Sequence, residues 1–192
     1  MPRIVAASIA ENRDLRQSAI LRAASDIARQ EGLSAVTVGA VAQQAGLARS
    51  SVYAYFNSSA DLIADVLVDE LHDMCAALTN ALVGTETAEE AILSWVRESL
   101  AYIIDGRHAL VRSTTAIELP PTRKAEIGQL HRQMLLPLID ALKQVGVAEP
   151  MRSAMQISAI IDVCVRRIES GGNLQEEITA AENFVLAGIA AS

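Results

Sequence analysis

A cluster of polar side chains and tyrosines follows a glycine in the first third of the chain. It comprises Arg49, Ser50, Ser51, Tyr53 and Tyr55. A guanidinium group can donate two parallel hydrogen bonds to O6 and N7 of guanine. Serine and tyrosine hydroxyls suit the oxygens of the phosphate backbone. These residue types therefore predict contacts with both the bases and the backbone of double-stranded DNA.

Two short helical patterns are expected to position this cluster. Thr37 is a favourable N-cap for a helix over residues 38–45, and Gly46 ends that helix. A further helix over residues 49–55 follows after a brief turn, with Val52 facing the interior. Two short helices joined in this way predict a helix-turn-helix, whose second helix presents its N-terminus to a DNA major groove.

The same pattern also fits an ordinary bend between two core helices. Val52 and Phe56 lie four residues apart and are expected to point inward, which either interpretation requires. Tyr53 and Tyr55 lie beside Arg-Ser-Ser on exposed or half-exposed faces, where a plain bend has no use for them. This placement favours the helix-turn-helix.

The rest of the chain predicts an all-α fold. Hydrophobic residues make up 51% of the 192 residues but aromatic residues only 3%, and no sustained apolar–polar alternation indicates strands. Ser58 and Asp61 form a variant capping box, and we place a boundary there between a helix-turn-helix domain, 1–57, and a helical body, 58–192. The helices expected outside the helix-turn-helix are 15–30, 58–82, 87–104, 107–118, 123–144, 151–169 and 175–190.

The distribution of charge and the absence of catalytic motifs limit the classes of function that fit the sequence. The net charge is −7, but residues 1–60 carry a net charge of +2 and residues 61–192 carry −9, which leaves a mildly basic head on an acidic body. No GxSxG, GxGxxG, P-loop, CxxC or HExxH motif is present, so we expect no enzyme, no cofactor and no metal site. Single cysteines at 75 and 164, and the lack of a membrane-spanning or signal segment, predict a cytoplasmic protein.

A stretch from about Ala24 to Leu62 resembles the N-terminal domain of the TetR family of bacterial regulators. The residues that carry the resemblance, in register, are Ala24, Ile27, Gly32, Thr37-Val38, Ala42, Ala45-Gly46-Leu47, Tyr53-Ala54-Tyr55-Phe56, Ser58 and Leu62. The resemblance implies a transcriptional regulator, most often a repressor, that binds operator DNA as a homodimer. It also implies that a small effector bound in the body releases the DNA.

Carried over position by position, the resemblance assigns base contacts to Arg49 and Ser50. The positions that correspond to phosphate contacts are Thr37, Ser51, Tyr53 and Tyr55. Three residues depart from the family pattern. Ala48 replaces a frequent capping Ser, Ser59 replaces the usual Lys, and Gly39 replaces a DNA-contacting side chain of some members. These departures predict modest affinity that depends heavily on Arg49.

The resemblance also implies an effector pocket and a dimer interface in the body. Large apolar and polar candidates for the pocket are Met74, Trp95, Tyr102, Arg112, Thr115, His131, Met134 and Leu135, which favour a hydrophobic or amphipathic effector. Candidates for a four-helix dimer interface are Ile157, Ile161, Cys164 and Ile168 on one helix and Ile178, Val185 and Ile189 on the next.

Each of these sets also fits packing within one chain. A second hypothesis for the whole protein is an all-helical bundle that binds or transforms a small molecule and carries a vestigial DNA-binding head. The missing Lys at 59 and the negative net charge favour it slightly.

Overall fold

The computed structural model describes residues 9–104 and 118–190, with side chains from Asn12 onward. The described helices are α1 (Ile9–Glu31), α2 (Val38–Gln44), α3 (Arg49–Tyr53), α4 (Ser59–Ala81), α5 (Ala88–Ile104), α6 (Pro121–Gln144), α7 (Pro150–Glu169) and α8 (Leu174–Ala190). A 3-10 turn spans Leu33–Ala35, and these described segments contain no strand. The predicted all-α fold is confirmed, whereas the helix expected over 107–118 lies outside the described residues.

All described helix boundaries except the start of α1 match the predicted ones within two residues, and three of the differences have clear reasons. Helix α1 begins at Ile9 instead of 15, because its polar first turns carry no apolar periodicity that could reveal it. Helix α6 begins at Pro121 instead of 123, since proline suits the first helical position. Helix α3 ends at Tyr53 instead of 55, because the Tyr55 and Phe56 amides both donate to the carbonyl of Val52, 3.0 Å away.

The described residues form two compact units. The first comprises 9–69 and 118–124, so it includes the beginning of α4. In it, α1 packs against α2, and α2 packs against α3, around side chains that have no exposed surface. These are Ile20, Ala24, Val41, Val52 and Leu62. The division at residues 57/58 marks the predicted end of the DNA-binding segment and stays a prediction.

The second unit comprises 70–104 and 125–190. Helices α5, α7 and α8 pack against one another in pairs, and Arg97 of α5 forms an ion pair with Glu182 of α8 at 3.0 Å. Fully buried aliphatic side chains at the centre of this unit include Ile92, Val96, Leu100, Leu138 and Leu142. None of the described helices is long and apolar enough to cross a membrane.

Candidate functional site

Thr37 caps α2, as the sequence predicted. Its backbone is extended (φ −114°, ψ 152°), and its Oγ1 accepts a hydrogen bond from the amide of Ala40 at 3.1 Å. The hydroxyl is exposed, and its own proton is still available for donation, since a threonine hydroxyl both accepts and donates. Thr37 can therefore stabilise the helix and contact a phosphate at the same time.

Ser59 has a structural role that the sequence did not indicate. The Val38 amide at the start of α2 donates to Ser59 Oγ at 3.2 Å. Ser58 Oγ, one residue earlier, accepts from the amide of Asp61 and donates to its carboxylate, both at 3.1 Å, which confirms the predicted capping arrangement. The residue that replaces the family's Lys thus fixes the beginning of α4 to the beginning of α2.

The turn and α3 present the predicted base-contacting residues to solvent. Gly46 has φ +66°, a left-handed conformation that favours glycine, and Ala48 precedes α3 without any side-chain cap, as predicted. Arg49 and Ser50, the first two residues of α3, are both exposed. Val52 anchors the helix in the core, where it has no exposed surface.

Electrostatics favour DNA at this surface. Between Glu31 and Asp61 the sequence contains a single charged residue, Arg49, and it forms no ion pair with any described residue. Helix N-termini carry partial positive charge, so the starts of α2 and α3 add to the attraction for phosphate. No acidic side chain in this stretch opposes an approaching DNA backbone.

The side chains predicted to contact phosphate differ in exposure, and Arg13 lies beside one of them. Tyr53 is 56% exposed, whereas Ser51 and Tyr55 are half-buried. The Arg13 guanidinium of α1 lies over the Tyr55 ring, 5.5 Å from its centroid, within the range of a cation–π interaction. Sequence reasoning missed Arg13, because only the net charge of the head pointed to it. The interaction places a second cation beside the predicted phosphate contacts.

Removal of the Thr37 cap should destabilise the protein measurably. Thr37→Ala leaves the Ala40 amide without its side-chain acceptor, and we expect a loss of about 1 kcal/mol in the free energy of unfolding. Urea denaturation followed by circular dichroism measures it. Thr79→Ala is the matched control, since that exposed hydroxyl donates only to the Cys75 carbonyl one turn back. Equal effects of the two changes would contradict the capping role.

The structure brings together some of the predicted effector residues. In the second unit the Trp95 indole N–H donates to the backbone carbonyl of Met134 at 3.2 Å, and both side chains are buried. Met74 and Tyr102 are also buried, and His131 is half-buried with Nδ1 2.9 Å from the Ile127 carbonyl. The half-buried Leu135 belongs to the same helix as Met134. Arg112 and Thr115 lie outside the described residues, and the pocket stays a prediction.

Two buried polar groups in this unit were not predicted. Glu70 is only 4% exposed, and the Tyr102 hydroxyl donates to its Oε1 at 2.9 Å. Ser99, on α5 between Trp95 and Tyr102, is buried, and its Oγ has no hydrogen-bond partner among the described residues. Glu70 lies four residues before Met74 on the apolar stripe of α4, and this spacing could have revealed it. Buried polar groups of this kind suit recognition of a ligand's polar end.

Most of the predicted dimer-interface residues are buried inside the single chain. This applies to Ile157, Ile161, Cys164, Ile178 and Val185, while Ile168 and Ile189 are half-buried. Packing among α5, α7 and α8 takes up this stripe, so it has little surface left for a second subunit. Burial also raises the pKa of the Cys164 thiol above its ordinary value, and the nearby Glu177 carboxylate adds to the rise. The cysteine is therefore held as an uncharged core residue.

Helices α7 and α8 expose a different set of apolar side chains. The large exposed ones are Met151, Met155 and Val163 on α7 and Phe184 and Leu186 on α8. A cleft between the two helices is lined by Gln156, Ile160, Phe184 and Gly188, among others. We call Ile160, Val163 and Phe184 the α7–α8 face. Phe184, at 66% exposed, is its most accessible large side chain.

Known proteins are similar to this chain in sequence and in the arrangement of its helices. The sequence model of the tetR family of bacterial regulatory proteins matches residues 20–66, which include the whole helix-turn-helix. Residues 20–66 of this chain are therefore similar to the segment that the tetR family model describes. The chain is 24% identical over 165 residues to the HTH-type transcriptional regulator TtgR of Pseudomonas putida, with 77% of each chain covered.

Solved structures share the fold of this chain. A TetR-family regulator of Streptomyces coelicolor, SCO4454, superposes with a TM-score of 0.75 at 16% identity, over 93% of this chain and 96% of that one. FadR of Bacillus subtilis, solved in complex with stearoyl-CoA, superposes with a TM-score of 0.74 at 16% identity, over 90% and 98%. At these identities the likeness shows the fold alone, and the helix-turn-helix lies within the segment that the tetR family model matches.

Proposed function

We propose that this chain is a ligand-responsive transcriptional repressor of the TetR family that binds operator DNA as a homodimer in the bacterial cytoplasm. A small hydrophobic or amphipathic effector, bound in the second unit, releases the DNA. The observation that carries the proposal is the exposed start of α3. There Arg49 is the sole charged residue between positions 32 and 60 and lies beside Ser50, while Thr37 and Tyr53 offer exposed hydroxyl groups.

A homodimer is proposed because one recognition helix reads only half a site. Two recognition helices must lie about 34–36 Å apart to enter successive major grooves. The α7–α8 face supports a second copy as its occupant, since two helices at the chain end expose Phe184, Val163 and other large apolar residues. A two-fold axis would bring the same face of two chains together as a four-helix arrangement.

The effector proposal rests on the interior of the second unit. Trp95, Tyr102, Met74 and Met134 are buried apolar or amphipathic side chains of this unit. The Trp95 indole is hydrogen-bonded to the Met134 carbonyl, and the Tyr102 hydroxyl to the buried Glu70 carboxyl group. FadR, which shares the fold, was solved with an acyl-CoA. An effector needs only a few kcal/mol of differential affinity for one conformation to shift the population of DNA-binding dimers.

DNA binding is tested with a library of random-sequence duplexes. We expect repeated selection by the purified protein to enrich a palindromic motif, and binding to that motif to weaken as salt rises, because phosphate contacts release counterions. Failure to enrich any motif at low salt would contradict the proposal. It would leave the all-helical small-molecule bundle as the better interpretation.

The effector class is tested with stearoyl-CoA, and free CoA serves as the control that lacks the acyl chain. A ligand at 100 times its Kd stabilises the protein by about 2.7 kcal/mol, which raises Tm by roughly 5–10 °C for a chain of this size. The same concentration should release the protein from the selected duplex. If acyl-CoA and a panel of hydrophobic compounds change neither Tm nor DNA binding, the proposed effector class is wrong.

A further inference from the structure

Gly39 occupies a position where the backbone does not require glycine. It lies in the first turn of α2, and its φ is not in the positive range that five other glycines of the described chain adopt. Glycine within a helix costs about 1 kcal/mol relative to alanine, because it loses more conformational freedom on folding. The presence of glycine at position 39 therefore needs an explanation other than the local helix geometry.

The Arg49 side chain occupies the space that a Cβ atom at Gly39 would need. An ideal Cβ there would lie 2.9 Å from Arg49 Nη2, 3.1 Å from Cζ and 3.2 Å from Nε. The first distance is shorter than real Cβ contacts, and the other two are tighter than most of them, so a side chain at position 39 shifts the guanidinium, which as the end of a flexible side chain can move. By contrast, a Cβ at Gly128 would lie 3.7 Å from the nearest arginine nitrogen, Arg132 Nη1, which is an ordinary contact.

This contact determines where an otherwise unrestrained cation rests. Arg49 is exposed, and no ion pair with a described carboxylate holds its guanidinium. Bidentate recognition of guanine needs both donor nitrogens in the plane of the base, so a small shift of the group changes which base it fits. Without DNA, the guanidinium lies against the backbone of α2 at Gly39.

We propose that Gly39 is a positioning residue for base specificity, which acts by leaving the Arg49 guanidinium room to lie against α2. The inference rests on the proposed function, since it concerns how Arg49 reads operator DNA. It predicts that a side chain at position 39 alters the base preference at the position read by Arg49. The helical fold and the affinity for non-specific DNA should be retained.

The experiment compares Gly39→Ala, Arg49→Ala, the double variant and Gly128→Ala in the random-duplex selection. Gly39→Ala should change the preferred base at one position of each half-site and weaken binding to the wild-type motif by about 5- to 50-fold. Its affinity for a scrambled duplex and its helical circular dichroism should equal those of the wild type. In the Arg49→Ala background the Gly39 change should add nothing, and Gly128→Ala should behave as the wild type.

Each remaining outcome decides the question. If Gly39→Ala selects the wild-type motif with a Kd within twofold, the inference is wrong while the proposed function stands. The inference also fails if the change weakens binding equally with and without Arg49, or if Gly39→Ser, which adds the same Cβ, does not reproduce it. If the wild type selects no motif, both the proposed function and this inference are wrong.

Discussion

Replacement of Arg49 by alanine is expected to reduce affinity for the selected operator by roughly 30- to 10,000-fold. A bidentate arginine–guanine pair contributes about 1–3 kcal/mol of discrimination, and a homodimer makes it twice. The effect is large because no other charged side chain lies between Glu31 and Asp61. Ala48, which precedes α3, has no polar side chain that could donate a substitute hydrogen bond.

Titration of a labelled duplex in a gel-shift assay measures this loss, and two variants separate its causes. Arg49→Lys keeps the charge but not the planar pair of donors, so it should preserve non-specific binding and lose the guanine preference. Arg152→Ala is the control, since that exposed arginine lies on α7 in the second unit and, within the described part of the chain, pairs only with Glu149 at 3.5 Å. Unchanged operator binding by Arg49→Ala would show that another residue reads the bases.

Phe184→Glu should convert the proposed dimer into monomers. A buried aromatic residue at an interface commonly contributes about 2–4 kcal/mol, so its loss weakens dimerisation by roughly 30- to 1,000-fold. Burial of the new carboxylate at the same place adds a further penalty. Sedimentation velocity at micromolar concentration should then show the mass of one chain instead of two. Operator affinity should fall with it, because each monomer contacts one half-site.

Val83→Glu is the control for this experiment. Val83 is 79% exposed in the turn after α4, so the same charge is introduced on a surface far along the chain from α7 and α8. It should leave both sedimentation and DNA binding unchanged. A dimeric Phe184→Glu protein would refute the α7–α8 face as the interface, and a monomeric wild type would refute the homodimer itself.

The contrast between Phe184 and Ile157 shows what the pattern of apolar residues predicts and what it does not. Periodicity correctly placed helices α7 and α8 and identified an apolar stripe on each, with Ile157 and Ile161 on α7 and Val185 on α8. An apolar stripe is first buried by other helices of its own chain, and here α5 packs against both α7 and α8. The sequence gives no measure of which of two apolar faces remains exposed, because that depends on the neighbouring helix.

The DNA-binding element was more predictable because its signals are local. The cap at Thr37, the glycine turn at Gly46 and the buried Val52 each depend on residues within one or two turns, and each is confirmed. The contact of Arg13 with Tyr55 joins α1 to the segment after α3, and that of Arg49 with Gly39 joins α3 to α2. Spacing along the sequence cannot reveal such pairs, since tertiary packing brings them together.

The indole of Trp95 is an intrinsic fluorescent probe of the second unit. It is the chain's one tryptophan, it is buried, and its N–H is bound to the Met134 carbonyl. Intrinsic fluorescence excited at the tryptophan band therefore originates entirely in this unit and none of it in the DNA-binding element. A change of emission on adding an operator duplex would show that DNA binding alters the surroundings of Trp95 in the second unit. A change on adding effector would show that the effector alters those surroundings directly.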